Sequence, residues 1–269
     1  MKTQKAGPAP VGALERIPVQ VFSSPYEGSV FAAAQVADLI RKNQGNGKKT
    51  VLGLATGSTP KAFYEELVRL HREEGLSFKN VITFNLDEYY PMNKDAGQSY
   101  HSYMRDHLFD HIDIDPANTH IPDGACPAEE IGMQVAEYDR KTEQAGGIDL
   151  QILGIGNNGH IGFNEPGSGI DSPTRLVQLA DATRIANAHE FADLSEVPHQ
   201  AVTMGIRTIL KAKRILLLAW GAGKAEAVQK AVVGKMTEDL PASLLQRHDH
   251  CVFLVDQAAA SNFQSRPHY

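Results

Sequence analysis

The sequence predicts an α/β protein built on a mainly parallel sheet with helices on both faces. Three observations carry this expectation. Apolar runs of strand length recur along the chain, and segments with helical spacing fall between them. Parallel strands need long crossovers, and alternating helices supply them on both faces of one sheet. The residues that break the apolar pattern, chiefly Gly, Thr, Asp, Asn and His, gather directly after strands. In an open α/β sheet that is the edge where ligands bind.

PVQVF (18–22) reads as a short strand. SVFAAAQVADLIRK (29–42) has Val30, Ala33, Ala34, Val36, Ala37 and Ile40 at helical spacing. TVLGLA (50–55) is the second strand. Pro60 suits the first turn of the next helix, with Thr59 as its N-cap, and KAFYEELVRLHREE stops at Gly75. VITFNL (81–86) is the third strand, followed by helices near 98–109 and 127–145. DLQILGI (149–155), RILLLAW (214–220) and HCVFLVD (250–256) complete the strands. The segment 166–200, rich in Gly, Ser, Asp, Thr and Pro, has no clear pattern. Beside a polar cluster such a segment reads as a lid or binding loop. Residues 1–16, with their Gly and Pro, read as a flexible leader, and 17–269 as one domain.

The chain has 269 residues, enough to bury one large α/β core. A net charge of −6 leaves no electrostatic footprint for nucleic acid or an anionic membrane, so an anionic ligand must be held by a local site. Cys126 and Cys251 are far apart and show no CxxC spacing, which argues against a disulfide framework and for a reducing, cytoplasmic location. The N-terminus has no apolar core of signal-peptide length, and ILLLAW (215–220) is too short to span a bilayer.

Four strand ends carry the candidate chemistry. ATGSTP (55–60) is a glycine-containing turn entering a helix, where free N–H groups and the helix dipole suit an anion. Thr56, Ser58 and Thr59 add hydroxyls. It is neither a Walker loop nor GxGxxG, and an ordinary capped turn has the same composition. FNLDEYY (84–90) places Asp87 and Glu88 side by side. Neighbours on an extended chain point opposite ways, so one faces the pocket and the other faces outward or a backbone cap. Asp87 is taken as the inward group and a general base; a solvated turn carboxylate is the alternative.

NNGHIGFNEP (157–166) is the richest stretch. Gly156, Gly159 and Gly162 would let backbone approach a ligand. Glu165 would accept a hydrogen bond from one nitrogen of His160 and leave the other for proton transfer; a satisfied loop histidine is the alternative. Zinc is not supported, since HExxH is absent; His107 and His111 read as surface. GAGK (221–224) puts Lys224 in the first turn of a helix, unfavourable for the dipole unless an anion is present. That makes it a phosphate candidate, with a solvated lysine as the alternative.

ATGSTP, FNLDEYY and LGIGNNGHIGFNEPG, in this order, resemble the glucosamine-6-phosphate deaminase family, over roughly residues 18–262. The resemblance implies a modified doubly wound, Rossmann-like three-layer sandwich with a mainly parallel central sheet, and no metal or organic cofactor. It implies a small-molecule sugar phosphate as partner, and conversion of glucosamine 6-phosphate and water to fructose 6-phosphate and ammonia. His160, oriented by Glu165, would help open the pyranose ring. Asp87 would move a proton between C2 and C1 through an enolamine. Thr56, Gly57, Ser58, Thr59 and Lys224 would hold the phosphate, and 166–200 would be the lid. Family members range from monomers to hexamers, so a homo-oligomer is admitted. The 6-phosphogluconolactonase family shares the fold but typically continues GHTASLFP where this chain has GHIGFNEP. Lactone hydrolysis is therefore the alternative, with a non-catalytic sugar-phosphate sensor as another.

Three departures from the family pattern bear on the site. Asn158 stands where well-known members have an aspartate, so no charge there favours a protonated His160, and its activation rests more on Glu165. His189 stands near a lid arginine that grips the phosphate in some members, which implies weaker or acid-dependent binding. Arg175 is present, but Val177 replaces the lysine that accompanies it in members activated by N-acetylglucosamine 6-phosphate, which implies no such activation.

Overall fold

The computed structural model describes residues 16–263. The expected leader lies outside the described residues except for Arg16, whose N–H donates to the Val232 carbonyl at 3.1 Å.

The chain begins with β1 (Val19–Phe22), α1 (Pro25–Gly45), β2 (Thr50–Leu54), α2 (Lys61–Glu74) and β3 (Val81–Asn85). Helix α1 starts ahead of its apolar spacing because SSPYE is a start signal. Ser24 accepts from the Glu27 N–H at 3.2 Å, Pro25 occupies the first turn, and the Glu27 carboxylate reaches back to the Ser23 N–H at 3.3 Å. The expectation that Thr59 caps α2 is corrected. Pro60 itself takes the cap position without a side-chain cap bond, so Thr59 lies one residue upstream. Gly75 ends α2 as expected, with φ 67 in the left-handed region.

Next come β4 (Asp87–Tyr90), α3 (Tyr100–His107), β5 (Thr119–His120), α4 (Ile131–Gln144) and β6 (Leu150–Leu153). The remainder is β7 (Arg175–Gln178), α5 (Asp181–Asn187), β8 (Gln200–Thr203), α6 (Ile206–Leu210), β9 (Ile215–Ala219), α7 (Ala225–Val233) and β10 (Cys251–Asp256).

Among the described residues, seven strands form one parallel sheet in the order β1-β10-β9-β6-β2-β3-β5. Alternate residues of each strand enter cores on opposite faces. Leu52, Leu54, Leu216 and Leu218 pack with Ala33, Val36 and Ile40 of α1 and Phe63, Tyr64 and Leu67 of α2. Val51, Phe84, Leu153 and Leu217 pack with Tyr138 of α4, Ile209 of α6 and Val228 and Val232 of α7. Both faces are covered, which is why these strands read as near-continuous apolar runs. Cys126 and Cys251 are buried and free. Among the described residues, no helix is long and apolar enough to cross a membrane.

A second sheet, antiparallel in the order β4-β8-β7, differs from expectation. DEYY is a strand, not a turn, and the segment 166–200 holds β7, α5 and two 3-10 turns. Each of these strands is four residues long. β7 is largely half-exposed, so it leaves no apolar run to read.

Leu217 is 0% exposed at the centre of the main sheet. Leu217→Ala should cost about 3 kcal/mol of unfolding free energy through lost burial and a cavity, read as a lower denaturant midpoint at unchanged slope.

Candidate active site

Strands β9, β6, β2 and β3 are adjacent in the sheet, and their carboxyl ends open on one cleft of about 380 Å³. The residues after β2 (Thr56, Gly57, Ser58, Thr59), Asp87 after β3, Asn158 and His160 after β6, and Lys224 after β9 all line it. His189 lines it from the segment above. Glu165 does not line the cleft; it stands behind Asn158 and His160.

Asp87 is the first residue of β4 and 5% exposed. Burial and the charge of neighbouring Glu88 push its carboxyl up to about 8, against a Phe163 N–H that favours the ionised form. Glu88 turns to the opposite face and accepts from the N–H groups of Tyr100 and His101 at the start of α3. One carboxylate in the pocket and one on a backbone cap is the arrangement that the extended chain required.

The loop after β6 corrects two expectations. Gly156 lines the cleft, and a Cβ there would overlap the His160 imidazole. Gly159 likewise makes room for Leu240, and Gly162, at φ 55, leaves space beside Asp87, whose Oδ2 a Cβ would approach to 3.2 Å. The expected hydrogen bond from His160 to Glu165 is absent. His160 Nδ1 and Glu165 Oε2 are 3.6 Å apart, an ion-pair separation beyond hydrogen-bond reach. The amide of Asn158 takes that oxygen instead, Nδ2 donating to Oε2 at 2.8 Å, while its Oδ1 accepts from the His160 N–H at 3.2 Å. The Thr183 hydroxyl, from α5, donates to Glu165 Oε1. Burial works to raise the Glu165 carboxyl, but His160, Thr183 and Asn158 together hold it below its ordinary value.

The residues after β2 and β9 also face the cleft. The Gly57 and Thr59 carbonyls are engaged from outside by the Tyr103 hydroxyl at 2.6 Å and the Trp220 indole N–H at 3.1 Å. Among the described residues, no N–H of 56–59 donates a hydrogen bond within the chain. Lys224 ends the 3-10 turn Ala222–Lys224 that enters α7. Burial lowers its pKa, and its ammonium has no acidic partner among the described residues. His189 is exposed at the rim, and its Nδ1 lies 2.9 Å from the Ala186 carbonyl, which can only accept. That contact makes Nδ1 the donor and leaves Nε2 free.

Tyr100, Phe163, Thr183 and Asn187 also line the cleft and are absent from the sequence reading. Thr183 and Asn187 are four apart in DATRIAN, on one face of a helix, a spacing that the loop reading of this segment concealed. His107 is half-buried against the Tyr103 ring at 4.4 Å and is not the surface residue expected; His111 is exposed.

The chain matches the family glucosamine-6-phosphate isomerases/6-phosphogluconolactonase over residues 27–254, and it belongs to that family. It is 50% identical over 211 residues to a glucosamine-6-phosphate deaminase of Oceanobacillus iheyensis, covering 78% of this chain and 84% of that one. A glucosamine-6-phosphate deaminase of Bacillus velezensis is 47% identical over 229 residues, covering 85% and 92%. The structure of a monomeric glucosamine-6-phosphate deaminase superposes with a TM-score of 0.86 at 46% identity, over 90% of this chain and 98% of that one. The 6-phosphogluconolactonase of Trypanosoma brucei superposes at 0.73 with 21% identity, over 91% and 97%, which is a likeness of fold.

The hold of Thr183 on an ionised Glu165 sets a pH-dependent outcome. Thr183→Val should lower unfolding free energy by about 1–2 kcal/mol at neutral pH. Because Glu165 is held below its ordinary 4.5, this stability is present above that value and is lost as pH falls through the folded-state value. Denaturant titrations of both proteins should converge toward acid pH.

Proposed function

We propose that the protein is a glucosamine-6-phosphate deaminase, converting glucosamine 6-phosphate and water to fructose 6-phosphate and ammonia in the cytoplasm. The observation that carries this reading is the gathering, in one cleft, of a buried carboxyl poised near neutral pH, an imidazole, the turn 56–59 and a lysine. Relatives about half identical bear the same activity in their names.

The substrate's phosphate would sit against the N–H groups and hydroxyls of Thr56, Gly57, Ser58 and Thr59, at the entry to α2, with Lys224 supplying the countercharge. His189 would meet it from the rim. This fixed end orients the reacting carbons. His160 moves the proton at the ring oxygen and opens the pyranose to the aldehyde. Asp87, as carboxylate, takes the proton from C2 and returns it to C1; between the two transfers the substrate is an enolamine. The resulting C2 iminium takes up water and releases ammonia. Glu165 and Asn158 position His160 through the loop they share, and Thr183 ties them to the segment 166–200, which acts as the lid.

The test measures ammonia and fructose 6-phosphate together for the wild type and Asp87→Asn. Equal amounts from the wild type are expected, with a fall of about a hundred- to ten-thousand-fold in kcat for the variant. Saturable binding without ammonia would return the sensor reading. Asp87 acts as a base only when ionised, and its pKa is raised to about 8, so kcat/KM should rise with pH through that value. Lys224→Met should lower kcat/KM about 10- to 100-fold, chiefly through KM, as expected for one charge-assisted contact to phosphate.

A further inference from the structure

Glu88 follows the proposed base but does not line the cleft. It is 0% exposed. Its carboxylate accepts from the N–H of Tyr89 at 2.9 Å, of Tyr100 at 3.0 and 2.9 Å and of His101 at 3.3 Å, and lies 3.0 Å from His101 Nδ1. A set of N–H donors at a helix start suits an anion. Two features depend on this side chain. One is Asp87, the preceding residue on an extended strand, where little water screens one charge from the other. The other is α3, which brings Tyr100 to the cleft wall and the Tyr103 hydroxyl to the Gly57 carbonyl.

We propose that Glu88 is a positioning residue for the deamination: its buried charge governs the proton on Asp87, and its clamp on α3 couples that base to the loop 56–59. This rests on the functional reading above. The groups that face Asp87 from other elements are Tyr64 of α2 and Tyr138 of α4, with His160, His189 and Lys224 around the same cleft. Among the charges around Asp87, that of Glu88 drives it upward.

The test compares kcat/KM against pH for the full-length wild type, Glu88→Gln and Glu88→Asp, since the acid limb reports the free enzyme's base. Glu88→Gln keeps the size and loses the charge. Its acid limb should move down by about one pH unit, leaving about tenfold more of its own plateau well below the limb. Glu88→Asp keeps the charge; its limb should stay in place while KM rises as α3 loosens. An unmoved limb in Glu88→Gln with only lower kcat or stability would overturn the proposal in favour of a purely structural role. A limb displaced in Glu88→Asp overturns it equally, so the question remains decidable if the glutamine variant does not fold. A carbon-13 titration of the Asp87 carboxyl, assigned with Asp87→Asn, reads the same displacement without substrate. A wild type inert toward glucosamine 6-phosphate refutes the functional reading, whereas Asp87 titrating alike in wild type and Glu88→Gln refutes the role of Glu88.

Discussion

The cleft depends on the chain changing sheets at Leu86. The Leu86 N–H donates to the Leu54 carbonyl at 3.0 Å, continuing the ladder of the parallel sheet. Its carbonyl accepts from the Met204 N–H at 2.6 Å, beside the antiparallel ladder of the second sheet. Both backbone groups of one residue are thereby used, one on each sheet. Asp87 emerges at the carboxyl edge of the main sheet, yet it is held by pairing with Thr203 in the second. A group carried on a paired strand is held more tightly than one on a free loop, which the proton transfer proposed for Asp87 would need.

That junction also creates an electrostatic conflict, and its resolution shapes the site. Two neighbouring acids are buried together. Glu88 is compensated by the N–H groups at the head of α3. Asp87 has the Phe163 N–H against burial and the Glu88 charge, and holds its proton to a higher pH. After β9, Lys224 stands half-buried without an acidic partner among the described residues. The cleft therefore holds a proton-retaining carboxyl after β3 and a lysine after β9, as the sugar phosphate proposed for it would require.

The loop after β6 shows how one amide reorganises a neighbourhood. Asn158 donates to Glu165 and accepts from the His160 backbone, so it joins the two groups by contact, where an aspartate would have repelled the glutamate. Thr183 then fastens the same carboxylate to α5. Glu165 thus lies between the fixed sheet edge and the segment above the cleft, and movement of that segment would change its hydrogen bonds.

The sequence by itself determined the parallel sheet and the edge where its polar motifs gather. Strands buried on both faces and helices buried on one leave periodic apolar records, and strand ends deliver whatever follows them. The opposite facing of Asp87 and Glu88 was legible for the same reason, because alternation is a local rule. The second sheet was not legible. Its strands are four residues long and pair across more than a hundred residues in places, as Asp87 does with Thr203. The partner of Glu165 was decided the same way, by which donors the fold brought within 3 Å: an amide seven residues back and a hydroxyl from a helix that the composition of 166–200 hid. Periodicity records whether a side chain meets the core. Which polar atoms meet one another is decided by distances across the folded chain, and only the tertiary structure holds those.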